Sequence, residues 1–282
     1  MEYSNPQIPE GINSSKEHPL KEFVILTSGI LAIVFVVLLV LGVAADKLAY
    51  RIPFSVELSM TEGRFSSDKH DVPMQRYLNT LAQRIEIAQQ FPEDVSIKVH
   101  YIDSDTVNAF ATLGGNILIF RGLLEQLGNE NALTMVLAHE AAHIKYRHPI
   151  RSVGRGVVIG LALSMVSNSL GSTVTDAVLG SAGQVTVLKF SRDHEREADE
   201  TALYTLKKMY GHIEGATDLF EIFKKIEKQG IASPEFFNSH PLTSDRLQRI
   251  RKFKLAIGQS GKIRKTQLPR EYSSWLKSGD AK

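Results

Sequence analysis

An uncharged apolar stretch near the N-terminus constrains the fold of this 282-residue chain more than any other feature. Phe23 to Ala45 spans 23 residues without a charge, enough for a helix to cross a bilayer core of about 30 Å. The alternative is a cleaved signal peptide, because Val43 to Ala45 resembles a small-residue cleavage site. The stretch exceeds the usual apolar region of about 7 to 15 residues, so an uncleaved transmembrane signal anchor is favoured.

The anchor divides the chain into unequal parts. An N-terminal tail (1–22) and the anchor (23–45) precede a linker (46–71), a domain (72–260) and a basic C-terminal tail (261–282), which reads as a solvated segment. The residues after the anchor are numerous enough for one domain with a proper core. A net charge of +2 argues against a dedicated nucleic-acid binder. The sequence leaves the oligomeric state open.

The clearest chemical motif is HExxH, formed by His139, Glu140 and His143. Residues four apart share one face of a helix, so the two imidazoles can bind one metal ion while Glu140 lies beside them. Asn129 or Asn131 is a candidate N-cap for this helix. Pro149 is expected to mark its end. The alternative is a core helix that carries two ordinary histidines.

A second predicted helix begins near Ser191 and places Glu195 and Asp199 on one side. Catalytic zinc takes three protein ligands and keeps one open position, and two histidines with one glutamate form an established set. One carboxylate can bind the metal while the other accepts a hydrogen bond from a ligand histidine. Taken alone, this segment also reads as a solvated charged helix face.

Three segments in this order, HEAAHIKYRHP, SRDHEREADETAL and NSHPLTSDRLQRI, resemble the family of HExxH zinc metallopeptidases that includes the CAAX prenyl protease, HtpX and BepA. The run NAFATLGGNILIFRGLL, upstream of HExxH, also resembles that family. The likeness spans about Met74 to Phe253. It implies a zinc endopeptidase that acts on polypeptide substrates, with a predominantly helical, zincin-like α+β domain, a small β-sheet and one preceding transmembrane helix.

The resemblance also implies roles for individual residues. His139, His143 and Glu195 correspond to the ligands of one Zn²⁺ per chain, and Glu140 corresponds to the catalytic base. The family's ligand glutamate opens a Glu-x-x-Ala-Asp run, which selects Glu195 over Glu197. Asp199 then corresponds to the aspartate that supports a ligand histidine.

The C-terminal His240-Pro241 pair and Arg246 match a further family segment. Both His240 and Arg246 are candidate catalytic residues. His240 either stabilises the oxyanion or occupies the fourth zinc position at rest, and the alternative is an ordinary loop histidine. Two other histidines, His148 and His194, are expected to be structural, because Pro149 ends the helix beside the first and the second points away from Glu195.

A short apolar run behind two glycines reads as a strand entered through a tight turn. If this strand is a sheet edge beside the cleft, an extended peptide can add to it; the alternative is an interior strand without a ligand. The predicted substrate-binding strand consists of Asn116, Ile117, Leu118, Ile119 and Phe120.

The segment between the two metal-binding helices, 151–190, is rich in Gly, Ser and Val. Its apolar part, Val157 to Val166, is too short to span a membrane. It is interpreted as a flap or a membrane-facing helix near the site, and the alternative is a core helix and loop.

Positive charges flank the anchor on both sides, so the charge distribution does not predict its orientation in the membrane. The family resemblance implies a single-pass protein of the bacterial inner membrane with a periplasmic catalytic domain.

Overall fold

A computed structural model describes residues 19–65, 73–166 (backbone alone for 158–166), 190–222, 236, 240–241, 243–259, 261 and 263–277. Helices dominate and surround one small sheet, which confirms the predicted fold class. The elements are α1 (Pro19–Ala49), α2 (Phe54–Thr61), α3 (Pro73–Gln89), β1 (Lys98–Ile102), β2 (Ala109–Ala111), β3 (Asn116–Phe120), α4 (Arg121–Gln126), α5 (Glu130–Lys145), α6 (His148–Val166), α7 (Arg192–Tyr210), α8 (Ser244–Ala256) and α9 (Tyr272–Lys277).

The sheet has the strand order β1-β3-β2. β3 pairs with β1 in parallel and with β2 in antiparallel orientation. The prediction that Asn116 to Phe120 forms a sheet edge is therefore wrong, since both sides of this strand are hydrogen-bonded. In the described part of the chain, the edges are β1 and β2. The interior position agrees with the burial of Asn116 to Ile119.

The tight turn that enters β3 is present. Gly114 and Gly115 adopt φ values of 68° and 76°, a region that favours glycine because it has no Cβ. A Cβ on Gly115 would overlap the carbonyl oxygen of Ser96. The two glycines thus allow the chain to pass close to its neighbour before β3 begins.

The core lies between the sheet and the helices α3, α5 and α7. Helix α3 buries Met74, Leu78, Leu81 and Ile85, which recur at helical spacing and form its packing face. Helix α5 is buried along nearly its whole length, and α7 is the element that packs most extensively against it. This central pair carries the residues of both metal-binding motifs.

The boundary between α5 and α6 differs from the expectation. Helix α5 ends at Lys145, and Arg147 turns the chain with φ 60°. Pro149 lies in the first turn of α6 and does not terminate α5. Proline suits this position because the first residues of a helix have no intrahelical partner for an N–H.

Both segments predicted to flank the domain are part of its packing. Phe54, in the predicted linker 46–71, is buried in the main core on α2. Tyr272 and Leu276, in the predicted tail 261–282, are buried on α9, and Tyr272 Oη donates to the carbonyl oxygen of Leu124 at 3.1 Å. These contacts give little signal in the sequence, because isolated aromatic residues in polar segments show no periodicity.

Helix α1 is the one helix in the described ranges with the length and apolar composition needed to span a membrane. In the segment 151–190, the described residues up to 166 continue α6, which packs along α1. The remainder of that segment, 167–189, lies outside the described residues, and so does the flap predicted for it.

Candidate metal centre

The α5 helix positions the first two candidate ligands. Asn129 is its N-cap and accepts from the backbone N–H of Ala132 at 2.9 Å, which identifies the cap among the two predicted candidates. His139 and His143 lie one helical turn apart and are both buried. Their Nε2 atoms are only 3.1 Å apart. The helix therefore aims two imidazoles at a common point.

The α7 helix brings the carboxylates to the same point. It begins next to Ser191, as predicted, and Ser191 Oγ caps it by accepting from the backbone N–H of His194 at 3.2 Å. Glu195 Oε1 lies 3.4 Å from His143 Nε2, and Glu195 Oε2 lies 3.5 Å from His139 Nε2. The predicted ligands therefore meet, although 52 residues separate His143 from Glu195 in the chain.

His240 completes a four-membered group. One ligand atom each from His139, His143, Glu195 and His240 lie within 4.8 Å of one another. His240 Nδ1 is 2.9 Å from Glu195 Oε1 and 3.2 Å from His139 Nε2. In the described part of the chain this is the one buried group of this kind.

The orientation of the rings fits a cation. His139 Nδ1 faces outward and lies 3.1 Å from Asp199 Oδ1. His143 Nδ1 also faces outward and lies 2.9 Å from His148 Nδ1. With a proton on each outer nitrogen, both Nε2 atoms keep their lone pairs for the shared point, as metal ligation requires.

Arg246 lies behind the ligands. Its Nε and Nη2 atoms donate to the two oxygens of Asp199 at 2.8 and 2.7 Å, and Nη1 lies 3.1 Å from Glu195 Oε2. The guanidinium holds both carboxylates in place and lowers their charge repulsion. We therefore describe Arg246 as a positioning residue, because its contacts are with these carboxylates and not with the point shared by the ligands.

Glu140 is fully buried beside the ligand group. Its Oε2 accepts from the backbone N–H of Ala111 in β2 at 2.8 Å, and its Oε1 lies 3.4 Å from His240 Nε2. Burial raises the pKa of the Glu140 carboxyl above its ordinary value, which makes the carboxylate a better proton acceptor. The sheet edge β2, and not β3, thus borders the site.

The group is closed in this structure. His240 is completely buried, and the Phe190 ring stacks on His143 with a centroid separation of 3.9 Å. The cavity on the His139 side, between Phe220 and Phe236, has a volume of about 20 Å³, too small for a peptide. In the described part of the chain, His240 and Phe190 thus cover the ligand group.

Residues 73–254 match the sequence profile described as Peptidase family M48. The match covers more than half of the chain. The chain belongs to peptidase family M48. Family membership and the buried ligand group together identify a metal-dependent protease, which confirms the resemblance and the enzyme class expected from the motifs.

Relatives of this M48 peptidase occur in several cellular settings. It is 27% identical to the beta-barrel assembly-enhancing protease of Yersinia pestis over 64% of this chain and 39% of that protein. It is 30% identical to the mitochondrial metalloendopeptidase OMA1 of Schizosaccharomyces pombe, over 63% and 52%. For metalloprotease YcaL of Escherichia coli the identity is 32%, over 56% and 61%. The aligned part thus spans about two to three fifths of each relative.

The pKa values of two buried carboxyl groups at the M48 site are set by the charged groups next to them. Burial raises the pKa of Asp199, but Arg246 and His139 outweigh burial and hold it below its ordinary value. For Glu195, burial is likewise outweighed by His240 and the two other histidines, so its pKa is also lowered. Both carboxylates are therefore anionic, and the charge of Glu195 favours a cation at the point that it shares with the imidazoles.

His148 and Glu197 have a role that sequence reasoning did not assign. His148 contacts the ligand His143 through its Nδ1, and its Nε2 lies 3.1 Å from Glu197 Oε2. The ring of His194 stacks on His148 at 3.9 Å. Neither His148 nor His194 belongs to the ligand group, in line with the structural role predicted for them. The signal available in the sequence was Pro149. A proline suits the first turn of a helix, so it places His148 at the start of α6.

Proposed function

We propose that this M48 peptidase is a membrane-anchored, zinc-dependent endopeptidase that hydrolyses peptide bonds in misfolded or envelope proteins. The observation that carries the proposal is the convergence of His139, His143 and Glu195 beside the buried Glu140. Two histidines and a glutamate are a known catalytic zinc set. We assign one zinc ion per chain to these three ligands.

The chain's own groups divide the chemistry among them. A zinc ion at this site supplies Lewis acidity that polarises a carbonyl group and acidifies a water molecule. Glu140 accepts the proton from the attacking water and later delivers it to the leaving amine nitrogen. Its hydrogen bond with the N–H of Ala111 fixes one carboxylate oxygen, so the other is left for proton transfer.

The edge strand β2 is the proposed substrate-binding element. Asn108 and Thr112 bond to β3 through main-chain atoms, at 3.1 Å with Phe120 and 2.8 Å with Asn116. In an antiparallel pair alternate residues face the partner strand, so the main-chain groups of Ala109 and Ala111 face away from β3. The N–H of Ala111 already points to Glu140. An extended polypeptide that adds to this edge would lie beside the catalytic base.

Helix α1 is the proposed membrane anchor. Its side chains from Phe23 to Val43 are largely exposed and apolar, and a lipid environment would cover them. Relatives named as a beta-barrel assembly-enhancing protease and as a mitochondrial metalloendopeptidase support a membrane setting. We place the protein in the bacterial inner membrane as a single-pass protein, with the catalytic domain on the periplasmic side.

A second function is favoured by His240. Its Nδ1 lies beside the ligand atoms of the other three residues, so with a metal bound it would take the fourth position that a water or a substrate carbonyl needs. This contact supports a latent peptidase that holds unfolded proteins as a metal-binding chaperone or assembly factor and cuts them rarely. Replacement of His240 by Ala should raise peptidase activity if the ring restrains the enzyme, and unchanged activity would remove that role.

The test of the main proposal combines metal content with cleavage of casein. Full-length parent, Glu140→Gln and Glu195→Ala proteins are purified in detergent under the same conditions. We expect one zinc per chain in the parent and Glu140→Gln, a loss of zinc in Glu195→Ala, and cleavage by the parent alone. Zinc without cleavage in the parent would favour the chaperone function, whereas a parent without zinc would contradict the metal assignment.

A further inference from the structure

Helix α6 turns back along α1 directly after the metal-binding helix. Ile150 shares an apolar cluster with Ala49, at the end of α1. One turn later, a Cβ placed on Gly154 would lie 3.2 Å from Ala49 Cβ and 3.6 Å from the carbonyl oxygen of Ala45. Later residues of α6 therefore meet earlier residues of α1, and the two helices run antiparallel in close contact.

The contact continues into the apolar part of α1. Leu38, Gly42, Ala45 and Ala49 are partly or fully covered and recur at helical spacing, whereas Leu39 and Val40 beside this stripe are each 56% exposed. Small residues on such a stripe allow two helices to approach closely within a membrane. Leu38 precedes Ala45 by about 10 Å of helix. The covered stripe thus extends well into the segment proposed to lie in the bilayer.

Ion pairs join α1 and α6 at one height along the two helices. Asp46 Oδ2 lies 2.5 Å from Arg151 Nη2, and Asp46 Oδ1 lies 3.3 Å from Arg155 Nη2. Beyond this level α1 has no charge from Ala45 back to Phe23, and α6 has none from Gly156 to Val166. Both helices therefore contain no charged residues on the same side of these ion pairs. This is expected where two helices enter a bilayer together.

We infer that α6 enters the bilayer beside α1, with lipid acyl chains around residues 156–166. This inference rests on the proposed membrane anchoring by α1. Eleven helical residues rise about 16 Å, roughly half of the hydrocarbon core. Along its length the helix satisfies its own backbone hydrogen bonds, and only the last four carbonyl groups, at its C-terminal end, need partners from outside the helix.

The consequence concerns where the enzyme can cut. α6 starts at His148, which contacts the ligand His143. The ion pair of Arg155 with Asp46 lies only seven residues further along the helix. That spacing corresponds to about 10 Å. The metal centre is therefore held next to the membrane surface, and peptide segments close to that surface are its accessible substrates.

The test uses the absence of cysteine from the chain. The full-length variants Leu161→Cys in α6, Val37→Cys in α1 and Ile87→Cys on the exposed face of α3 each carry one environment-sensitive NBD label. They are reconstituted into phosphatidylethanolamine and phosphatidylglycerol vesicles. Quenching is measured with nitroxides on the lipid acyl chains and with iodide in the water. Val157→Cys serves as a second α6 position, and every variant must retain the parent's casein cleavage or metal content.

We expect Leu161→Cys to be quenched by acyl-chain nitroxides to the same extent as Val37→Cys, while Ile87→Cys responds to iodide alone. Quenching of Leu161→Cys by iodide, with Val37→Cys still in lipid, would overturn the inference and leave the anchor intact. Protection of Leu161→Cys from both quenchers would also overturn it and indicate a protein partner on α6. Iodide quenching of Val37→Cys would contradict the anchor itself.

Discussion

His143 and His148 face each other through their Nδ1 atoms at 2.9 Å, and Glu197 lies at the far nitrogen of His148. Since His143 directs its Nε2 to the ligand group, its Nδ1–H donates to His148. His148 then carries its proton on Nε2 and donates to Glu197. A chain of two imidazoles and a carboxylate thus orients one metal ligand, and Asp199 does the same for the other.

Replacement of His148 by Ala should lower zinc affinity about 10- to 100-fold, because the partner of a ligand histidine fixes its tautomer and ring orientation. Competition with a fluorescent chelator measures this affinity. His212→Ala is the matched control, because His212 is also buried but lies outside the ligand group. Equal zinc affinity in both variants would refute the orienting role of His148.

Replacement of Arg246 by Ala should destabilise the fold by about 3–5 kcal/mol, because it leaves the buried carboxylates of Asp199 and Glu195 without their cation. Denaturant unfolding of the metal-free protein measures the change. Arg249→Ala on the same helix is the control, since that guanidinium is 3.7 Å from Asp199 and more exposed. We expect about 1 kcal/mol or less from it. Similar losses in both variants would contradict the assignment.

Replacement of Gly115 by Ala should cost at least about 2 kcal/mol, because φ 76° disfavours a side chain and the new Cβ would overlap the Ser96 carbonyl oxygen. Activity should fall as well, since the turn positions β3, and β3 holds the β2 strand that bonds Glu140. Thermal unfolding and casein cleavage measure the two effects. Gly128→Ala, with nothing within 4 Å, should change stability by no more than about 0.5 kcal/mol.

The Glu214–Lys254 pair predicts a pH dependence of stability. Burial raises the pKa of Glu214, but Lys254, 2.5 Å away, lowers it below the ordinary 4.5. Because the folded pKa is the lower one, the stabilisation is complete above pH 4.5 and is lost as the pH falls through the folded pKa. Both side chains are partly exposed, so we expect about 0.2–1 kcal/mol.

Unfolding of the parent and Glu214→Gln at neutral and acidic pH tests this pair. The variant should be less stable at neutral pH and should lose less stability on acidification. Glu200→Gln, on the exposed face of α7, should follow the parent at both pH values. A Glu214→Gln protein whose stability equals that of the parent at neutral pH would show that the pair contributes nothing.

Local patterns were sufficient for the parts of the fold that depend on neighbouring residues. Asn129 was one of two readable cap candidates for α5, because a polar side chain before a helix satisfies free N–H groups, and the start of α7 near Ser191 was readable as well. The buried positions of α3 recur at helical spacing, a pattern that is visible in the sequence alone. The end of α5 was misread, since a proline can stop one helix or begin the next, and Pro149 does the second.

The sequence by itself determined the residue types of the site, because HExxH on one helix and Glu195 on another offer a zinc ligand set at fixed helical spacing. Tertiary packing decided what lies around those residues. The central position of β3, the covering of the site by His240, the orienting role of His148 and the pairing of α6 with α1 all join segments distant in the chain. Such contacts depend on which surfaces meet, and no local periodicity encodes that choice.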